Sequence, residues 1–491
     1  MMRETPQQQE QQRRPRIVII GGGISGLAAA HRVVELSTGL KRAPELLLLE
    51  GSQRTGGVIR TQRRDRFLLE VGPDSFISEK PEAVALATRI GLAERLIETN
   101  DAHRRSFIVR GGRLQAVPEG FHLLAPSRLW PFVTTPIFSW TGKARMALDL
   151  LLPRRAESAN GQLEESLAQF VRRRLGREAL ERMAQPMVGG IYTADPERLS
   201  LRATMPRFLE MEQAHRSLIW GMMRRRRQEG GAEAARGTSG ARYSLFLSFD
   251  GGMQMLVDAI NARLPSGSVR LNTRVEALSF DDQARRWRIH IRGDEAICAD
   301  AVCLALPAYT AALLLKNVDA ELAADLEAIP YASTATINLA WKREDIEHPL
   351  DGFGFVVPII ERRATLACTF SSVKFKGRAP EGYALLRAFV GGALQPEMFE
   401  LDEETMTARV LCDLRALLGI KAQPIFAVVE KWPRSMAQYH LGHLERVARI
   451  KRRIAPLSGL HLAGNAYDGA GIPDCIRSGE TAAADMLKTL K

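Results

Sequence analysis

The chain has 491 residues, 45% of them hydrophobic, enough for a large core and two or three structural domains. No window holds eighteen consecutive apolar residues, so no transmembrane helix is expected. The formal net charge of +12 suits an anionic membrane surface or an acidic substrate; nucleic acid is set aside, because no helix-turn-helix, zinc-finger or RNP-type aromatic motif is present.

Residues 1–15 (MMRETPQQQEQQRRP) are polar and Gln-rich and lack the apolar stretch of a secretory signal, so a disordered leader is expected. Arg16–Ile20 (RIVII) reads as a buried parallel strand. It runs into Gly21-Gly22-Gly23-Ile24-Ser25-Gly26, where Gly21, Gly23 and Gly26 fit GxGxxG. In that motif the first glycine permits a tight turn, the second lets a phosphate approach the backbone, and the third lets helix and strand pack closely. A helix starting near Ile24 would aim its unpaired N–H groups at the phosphates. Glu45–Glu50 (ELLLLE) gives a second strand, ending in an acid placed to accept from ribose hydroxyls. That acid opposes a 2′-phosphate, which favours FAD or NAD over NADP. Arg54–Thr61 (RTGGVIRT) and Glu70–Ser75 (EVGPDS) follow. These further glycine turns suit a backbone wrapped round a larger cofactor, and Gly56-Gly57 equally suits an ordinary hairpin turn.

Residues 99–222 read as mainly helical, with amphipathic spacing over Gln162–Leu175. Within them, Leu123–Leu152 carries Trp130, Phe132, Phe138 and Trp140 flanked by Arg128, Lys143 and Arg145. That composition fits a membrane-interface surface and also an irregular core segment. Residues 223–245, with Arg224–Arg227 and a low-complexity run, read as a mobile loop. Ser248–Leu256 (SFDGGMQML) is expected to open a helix. Strands are expected at Val269–Phe280, Trp287–Ile291 and Asp300–Pro307, which return the chain to the nucleotide domain. Residues 311–430 change pattern, with strand-like runs Ala335–Trp341, Phe353–Pro358, Thr365–Phe370 and Tyr383–Val390, and predict a separate antiparallel sheet. Residues 431–491 return to strand then helix. The expected architecture is α/β: a discontinuous Rossmann-like nucleotide domain from 16–98, 246–310 and 431–491, an antiparallel-sheet substrate domain, and a helical domain facing substrate or membrane. The five cysteines (Cys298, Cys303, Cys368, Cys412, Cys475) form no CxxC and no Cys/His cluster, which suits a reducing cytosol and implies neither a disulfide framework nor a metal site. Cys475 reads as a small buried thiol, because no base accompanies it.

In order along the chain stand GGGISG, RTGGVIRT, EVGPDSF, GGIYTADPERLS, SFDGGMQML, NTRVEAL, KWPRSMAQYHLGH and AGNAYDGAGIPDCIRSG. Together they resemble the oxygen-dependent protoporphyrinogen/coproporphyrinogen oxidase family, within the larger FAD-dependent amine-oxidase-like group. The resemblance covers essentially all of the chain after residue 15. It implies a noncovalent, extended FAD. Gly21, Gly22, Gly23, Ile24, Ser25 and Gly26 would hold the pyrophosphate, and Glu50, with Gly51 after it, the adenosine ribose. Gly57, Val58, Gly72, Pro73, Asp74 and Ser75 would pass beside the ribityl chain and flavin. Val275 would read the adenine through its backbone. Trp432, Gly464, Ile472, Pro473 and Asp474 would cover the flavin, with a helix N-terminus near Ile472 stabilising charge on the reduced ring. Tyr192, Phe353, Val356 and Phe389 would line an apolar slot for the macrocycle; they also read as core residues on their elements.

Two departures accompany the resemblance. Val58 follows Gly57 where amine oxidases carry Arg, and Ser106 stands where mitochondrial and plant members have an Arg expected to contact a substrate propionate. The implied reaction oxidises a porphyrinogen by three hydride transfers to flavin, with O2 reduced to hydrogen peroxide, so no side-chain acid or base is assigned a catalytic role. Another flavin oxidase or desaturase (an amine oxidase or carotenoid desaturase) and a flavin-binding assembly protein without turnover stay open. So do the choice between protoporphyrinogen IX and coproporphyrinogen III, and oligomeric state, a homodimer included. The place expected for the protein is the cytoplasm, with peripheral contact at the inner face of the cell membrane as the alternative.

Overall fold

The computed structural model describes residues 13–122, 124–155, 164–228 and 246–490. A five-stranded, fully parallel sheet organises the first part of the molecule. Its strand order is Val269–Arg270, Glu45–Leu49, Arg16–Ile20, Ala301–Leu304, Leu460–Leu462. The apolar runs form central strands because both faces are covered. Ile17, Ile19, Leu46 and Leu48 pack among residues of the helices Ile24–Ser37 and Ile472–Thr489, whereas Val18, Ile20, Leu47 and Leu49 pack against Trp287, Ile289 and the helix Ala308–Leu315. Alternate residues thus serve opposite layers, as the period of a strand requires.

A seven-stranded sheet forms the second part, in the order Phe426–Ala437, Tyr331–Lys342, Tyr383–Gly391, Ala367–Thr369, Gly354–Val356, Phe107–Arg110, Arg113–Ala116. All neighbours are antiparallel except Gly354–Val356 with Phe107–Arg110. The last two strands lie inside the 99–222 segment that was expected to be helical. Val109 is fully buried in the sheet's core and Ile108 in the helical core, so alternation rather than helical spacing governs this stretch. Phe426–Ala437 likewise runs across the expected boundary at 430. Helices between Leu129 and Gln228 pack round Phe170, Val171, Val188 and Phe208.

Other local differences have plain causes. Ser248 is in a strand, Phe246–Phe249, and the helix begins at Gln254, because Gly252 takes φ +96° and breaks the run. The Gln162–Leu175 helix starts at Leu167, where Ser166 and Gln169 form a capping box. The hairpin near Gly56-Gly57 is built instead from Thr61–Arg64 and Phe67–Glu70, with Asp65 at φ 51° in its turn. Arg224–Arg227 do not start a loop; they end the helix Leu218–Gln228. The rest of that expected loop, and leader residues 1–12, lie outside the described residues. Arg13 is ion-paired to Asp300 at 2.6 Å. Trp130 and Trp140 are 76% and 73% exposed, but Phe132 and Phe138 are core residues, so the aromatic run divides between surface and interior.

The N-terminal and C-terminal helices meet with almost no space between them. A Cβ on Gly479 would overlap the Ser25 carbonyl oxygen. Gly479→Ala is therefore expected to destabilise the fold by about 1–3 kcal/mol through overpacking, read as a lower thermal midpoint. An unchanged midpoint would show that the helices can part freely.

Candidate active site

The glycine turn is shaped as its sequence requires. Gly21 has φ +107°, and a Cβ there would strike the Ala305 carbonyl. A Cβ on Gly26 would overlap the Gly21 carbonyl oxygen. Gly23 differs: nothing among the described residues lies within 4 Å of the place its Cβ would take. That open approach precedes the helix Ile24–Ser37, whose N-terminus has no side-chain cap and no acid in its first turn. Unpaired N–H groups and the positive end of the helix dipole therefore face a space suited to phosphate. Glu50 accepts from Gly22 N at 2.6 Å and Ser52 N at 2.8 Å, which ties the acid to the turn. Thr273 N donates to Glu50 O at 2.8 Å, which brings the start of the Val275–Asp281 strand alongside.

The second glycine segment lies against the first through a parallel bridge from Gly23 to Gly56. Arg54 donates to the carbonyls of Thr55, Gly57 and Ile59 and so shapes Gly57-Val58 from within. Gly72 packs on that segment, where a Cβ would overlap the Val58 carbonyl. Across the way, side chains of the seven-stranded sheet grip the Glu70-Val71-Gly72 backbone. Asn338 Nδ2 donates to Glu70 O at 3.2 Å, Thr336 Oγ1 and Trp432 Nε1 to Val71 O at 2.8 and 2.9 Å, and Arg387 to Gly72 O. Ser248 Oγ donates to Asp74 O at 2.7 Å. The Asp74 carboxylate meets Lys374 Nζ at 2.9 Å and Arg387 at 4.0 Å. Burial pushes its pKa up, but the two cations and the Ser75 hydroxyl outweigh that and hold it below the usual carboxylate range.

Glu70 behaves in the opposite way. Burial pushes its pKa up to about 7, against the hydrogen bonds from Met253 N and Thr61 and the charge of Arg378, which is 4.0 Å away. The folded protein thus keeps a proton that the unfolded chain releases above about pH 4.5. Because the native state then binds more protons than the unfolded state, stability falls as pH rises from about 5 to 7.

The C-terminal turn completes the ring. Gly464 N donates to Ser478 Oγ at 3.1 Å, and Gly471 leaves the helix Ile472–Thr489 without a side-chain cap. Pro473 fills the first turn. Asp474 is 4% exposed and held by Lys80 at 2.6 Å and Arg477 at 2.7 Å. Tyr439, stacked on His443 with ring centres 4.1 Å apart, donates its hydroxyl to Asn465 O and accepts from Gly469 N, so one phenol closes this loop. Cys475 is buried and its thiol is pushed up to about 12 by burial, so it is no nucleophile at neutral pH.

Of the four expected slot residues, Val356, Phe389 and Tyr192 share one apolar cluster at the junction of sheet and helices. Gly190 lies beside Val356; a Cβ on Gly190 would stand 3.6 Å from Val356 Cγ1. Phe353 is outside that cluster, buried at the strand's start with its N–H on Arg105 O and its carbonyl on Phe370 N. Ser106 is buried, so its side chain presents no charge in that region.

The model of the flavin containing amine oxidoreductases matches residues 24–487. The chain belongs to that family. It is 35% identical to a coproporphyrinogen III oxidase of Bacillus subtilis (strain 168) over 96% of this chain and 97% of the relative. It is 30% identical to the protoporphyrinogen oxidase of Homo sapiens over 96% of this chain and 98% of that one. A crystal structure from Exiguobacterium sp. 255-15, described as a "putative protoporphyrinogen oxidase", superposes with a TM-score of 0.83 at 30% identity, covering 96% of this chain and 99% of the other. The protein is thus a flavin-dependent oxidoreductase, and the open phosphate approach at Gly23 with Glu50 beside it fits FAD.

Sequence reasoning missed Thr336, Asn338, Lys374, Arg387, Lys80 and Tyr439. One signal was available: Arg387 is the lone charge within the strand YALLRAFVG. Such a charge is buried only with partners. Glu70→Gln is expected to flatten the loss of stability between about pH 5 and pH 7, measured as urea midpoints at both values. An identical slope in the variant would show that Glu70 is ionised throughout.

Proposed function

We propose that this protein is a porphyrinogen oxidase that binds FAD noncovalently and converts coproporphyrinogen III or protoporphyrinogen IX to the porphyrin, with O2 as electron acceptor and hydrogen peroxide as its product. The observation that carries the reading is the near-full-length match to relatives bearing those two names; two relatives at 35% identity bear the name coproporphyrinogen III oxidase. When bound, the flavin supplies a hydride acceptor. The chain's own work is to hold and exclude. Gly21–Gly26 and the helix behind them hold the pyrophosphate, and Glu50 the ribose. Val275 meets the adenine through its backbone. Gly57-Val58 and Gly72–Ser75 pass the ribityl chain and ring, and Trp432, Gly464 and Ile472–Asp474 cover it. Tyr192, Val356 and Phe389 offer an apolar wall for the macrocycle, with Phe353 at the start of the strand that carries Val356. Oxidation removes a hydride and a proton in each of three rounds, and pyrrole protons leave to water, so positioning and desolvation suffice without a dedicated acid or base. The net charge of +12 suits a polycarboxylate substrate.

The purified protein, loaded with FAD, is expected to generate porphyrin fluorescence from coproporphyrinogen III and from protoporphyrinogen IX, with peroxide formed in step. Fluorescence no faster than autoxidation for both would overturn the reading. Turnover of an amine or a carotene in its place would establish the rival flavin oxidase or desaturase.

Peripheral contact with an anionic membrane is part of the same proposal. No helix among the described residues is long and apolar enough to cross a membrane. Leu129, Trp130, Val133, Trp140, Leu148 and Leu151 are exposed between residues 129 and 151. The helix Leu218–Gln228, ending in Arg224–Arg227, packs beside Leu148–Leu150. Tryptophan beside arginine is the composition that settles at a lipid interface. The protein should co-sediment with anionic phospholipid vesicles, and Trp130→Ser with Trp140→Ser should cut the bound fraction at least fivefold. Equal binding by the double variant would remove membrane contact from the proposal.

A further inference from the structure

The Glu70–Ser75 segment is flanked by more buried positive charge than buried negative charge. Asp74 supplies one carboxylate; Lys374 and Arg387 supply two cations, whose side chains are 8% and 5% exposed. Glu70, the next acid, lies beside a third cation, Arg378, itself 2% exposed. Asp74 therefore balances one of its two neighbours and leaves one positive charge over. A buried cation without a counter-charge is costly and is normally avoided.

The contacts of the two cations place that surplus on the segment itself. Lys374 Nζ donates to Ser75 Oγ at 3.2 Å as well as to Asp74. Arg387 donates to Gly72 O, and its guanidinium lies 4.7 Å from the centre of the Phe389 ring. Two polar atoms of the same cross-strand pair, Arg387 Nε and Asn338 Oδ1, are buried with no hydrogen-bond partner among the described residues. The positive charge thus sits between the apolar slot and the backbone assigned to the flavin, with donor capacity unused. A guanidinium keeps its proton at any working pH, so the charge is permanent.

We propose that Lys374 and Arg387 tune the flavin, their surplus charge favouring its reduced state by compensating the negative charge that reduction adds. The proposal rests on the flavin-binding reading above. Neither residue donates or accepts the hydride; both are positioning residues that act through field and through the Gly72–Ser75 backbone.

The test is the equilibrium ratio of reduced to oxidised flavin in the holoenzyme, read from its visible spectrum against a reference dye of known potential without oxygen. Arg387→Met removes the charge at similar volume, Arg387→Lys keeps it, and Lys374→Met removes the second cation. At a fixed poise Arg387→Met and Lys374→Met are each expected to lower the ratio about tenfold, which for a two-electron couple is about 30 mV towards the negative. Arg387→Lys should stay within about threefold of the parent. If Arg387→Met does not fold, Lys374→Met decides. Charge-removing variants within twofold of the parent would overturn the proposal, as would an equal drop in Arg387→Lys. A raised KM with an unchanged flavin ratio would assign the cations to a substrate carboxylate and overturn it too. If the parent protein takes up no FAD, the underlying flavin assignment fails, and that outcome is seen before any variant is compared.

Discussion

Four side chains of one sheet hold three consecutive carbonyl groups of another part of the chain, and the geometry of the site depends on that grip. Asn338, Thr336, Trp432 and Arg387 satisfy Glu70, Val71 and Gly72, whose backbone makes no sheet ladder on that side. Buried carbonyls without partners would cost more than the bonds give back. The seven-stranded sheet and the part of the molecule built on the parallel sheet are therefore registered to each other at Glu70–Gly72. The relation between the two is set by polar bonds of fixed direction as well as by apolar contact, which alone tolerates sliding.

Around this grip the molecule leaves backbone donors, rather than charged side chains, at two helix starts. Two helices begin without a side-chain cap, at Gly23 and at Gly471, and each leaves donors available at its start. Glycine serves two separate purposes nearby. Gly21, Gly26 and Gly72 are filled positions, where any Cβ would strike a carbonyl, whereas Gly23 borders open space. The first kind keeps the walls close together and the second leaves room for a ligand. Tyr439 adds a third device: one hydroxyl spans Asn465 and Gly469 and fixes the loop that leads into the last helix. With Asp74 and Asp474 both neutralised by buried or half-buried cations, the carboxylates near the site act as anchors for their segments.

Much of the parallel sheet was legible because its strands are short continuous apolar runs bounded by glycine or charge, and the structure places them at Arg16–Ile20, Glu45–Leu49 and Ala301–Leu304. The glycine turn was legible for the same reason, since its spacing encodes its own geometry. Less was legible where pattern and context part. Phe107–Arg110 and Arg113–Ala116 fall in a stretch whose pattern reads as helical yet extend the distant sheet, because pairing partners for a strand edge leave no local mark. Phe132 and Phe138 share the composition of Trp130 and Trp140 and have the opposite burial, because the helix Leu129–Thr134 turns Phe132 inward and Trp130 outward, while Phe138 packs inward in the turn before the helix Trp140–Ala147.

The sequence by itself determined the shape of the glycine turn, the presence of a parallel sheet and a second sheet, and the family, since each is written in residues close together or in motifs that keep their order. Tertiary structure alone decided which polar groups meet across the junction. Glu70 and Asp74 are four residues apart, yet one has its carboxyl pKa raised to about 7 and the other has it depressed. The difference comes from residues three hundred positions further on: Lys374 reaches Asp74 at 2.9 Å and Arg387 adds a second positive charge at 4.0 Å, whereas Glu70 has Arg378 at 4.0 Å. Charge interactions fall with distance in space and not along the chain, so no reading of local sequence could have assigned those two carboxylates their opposite states.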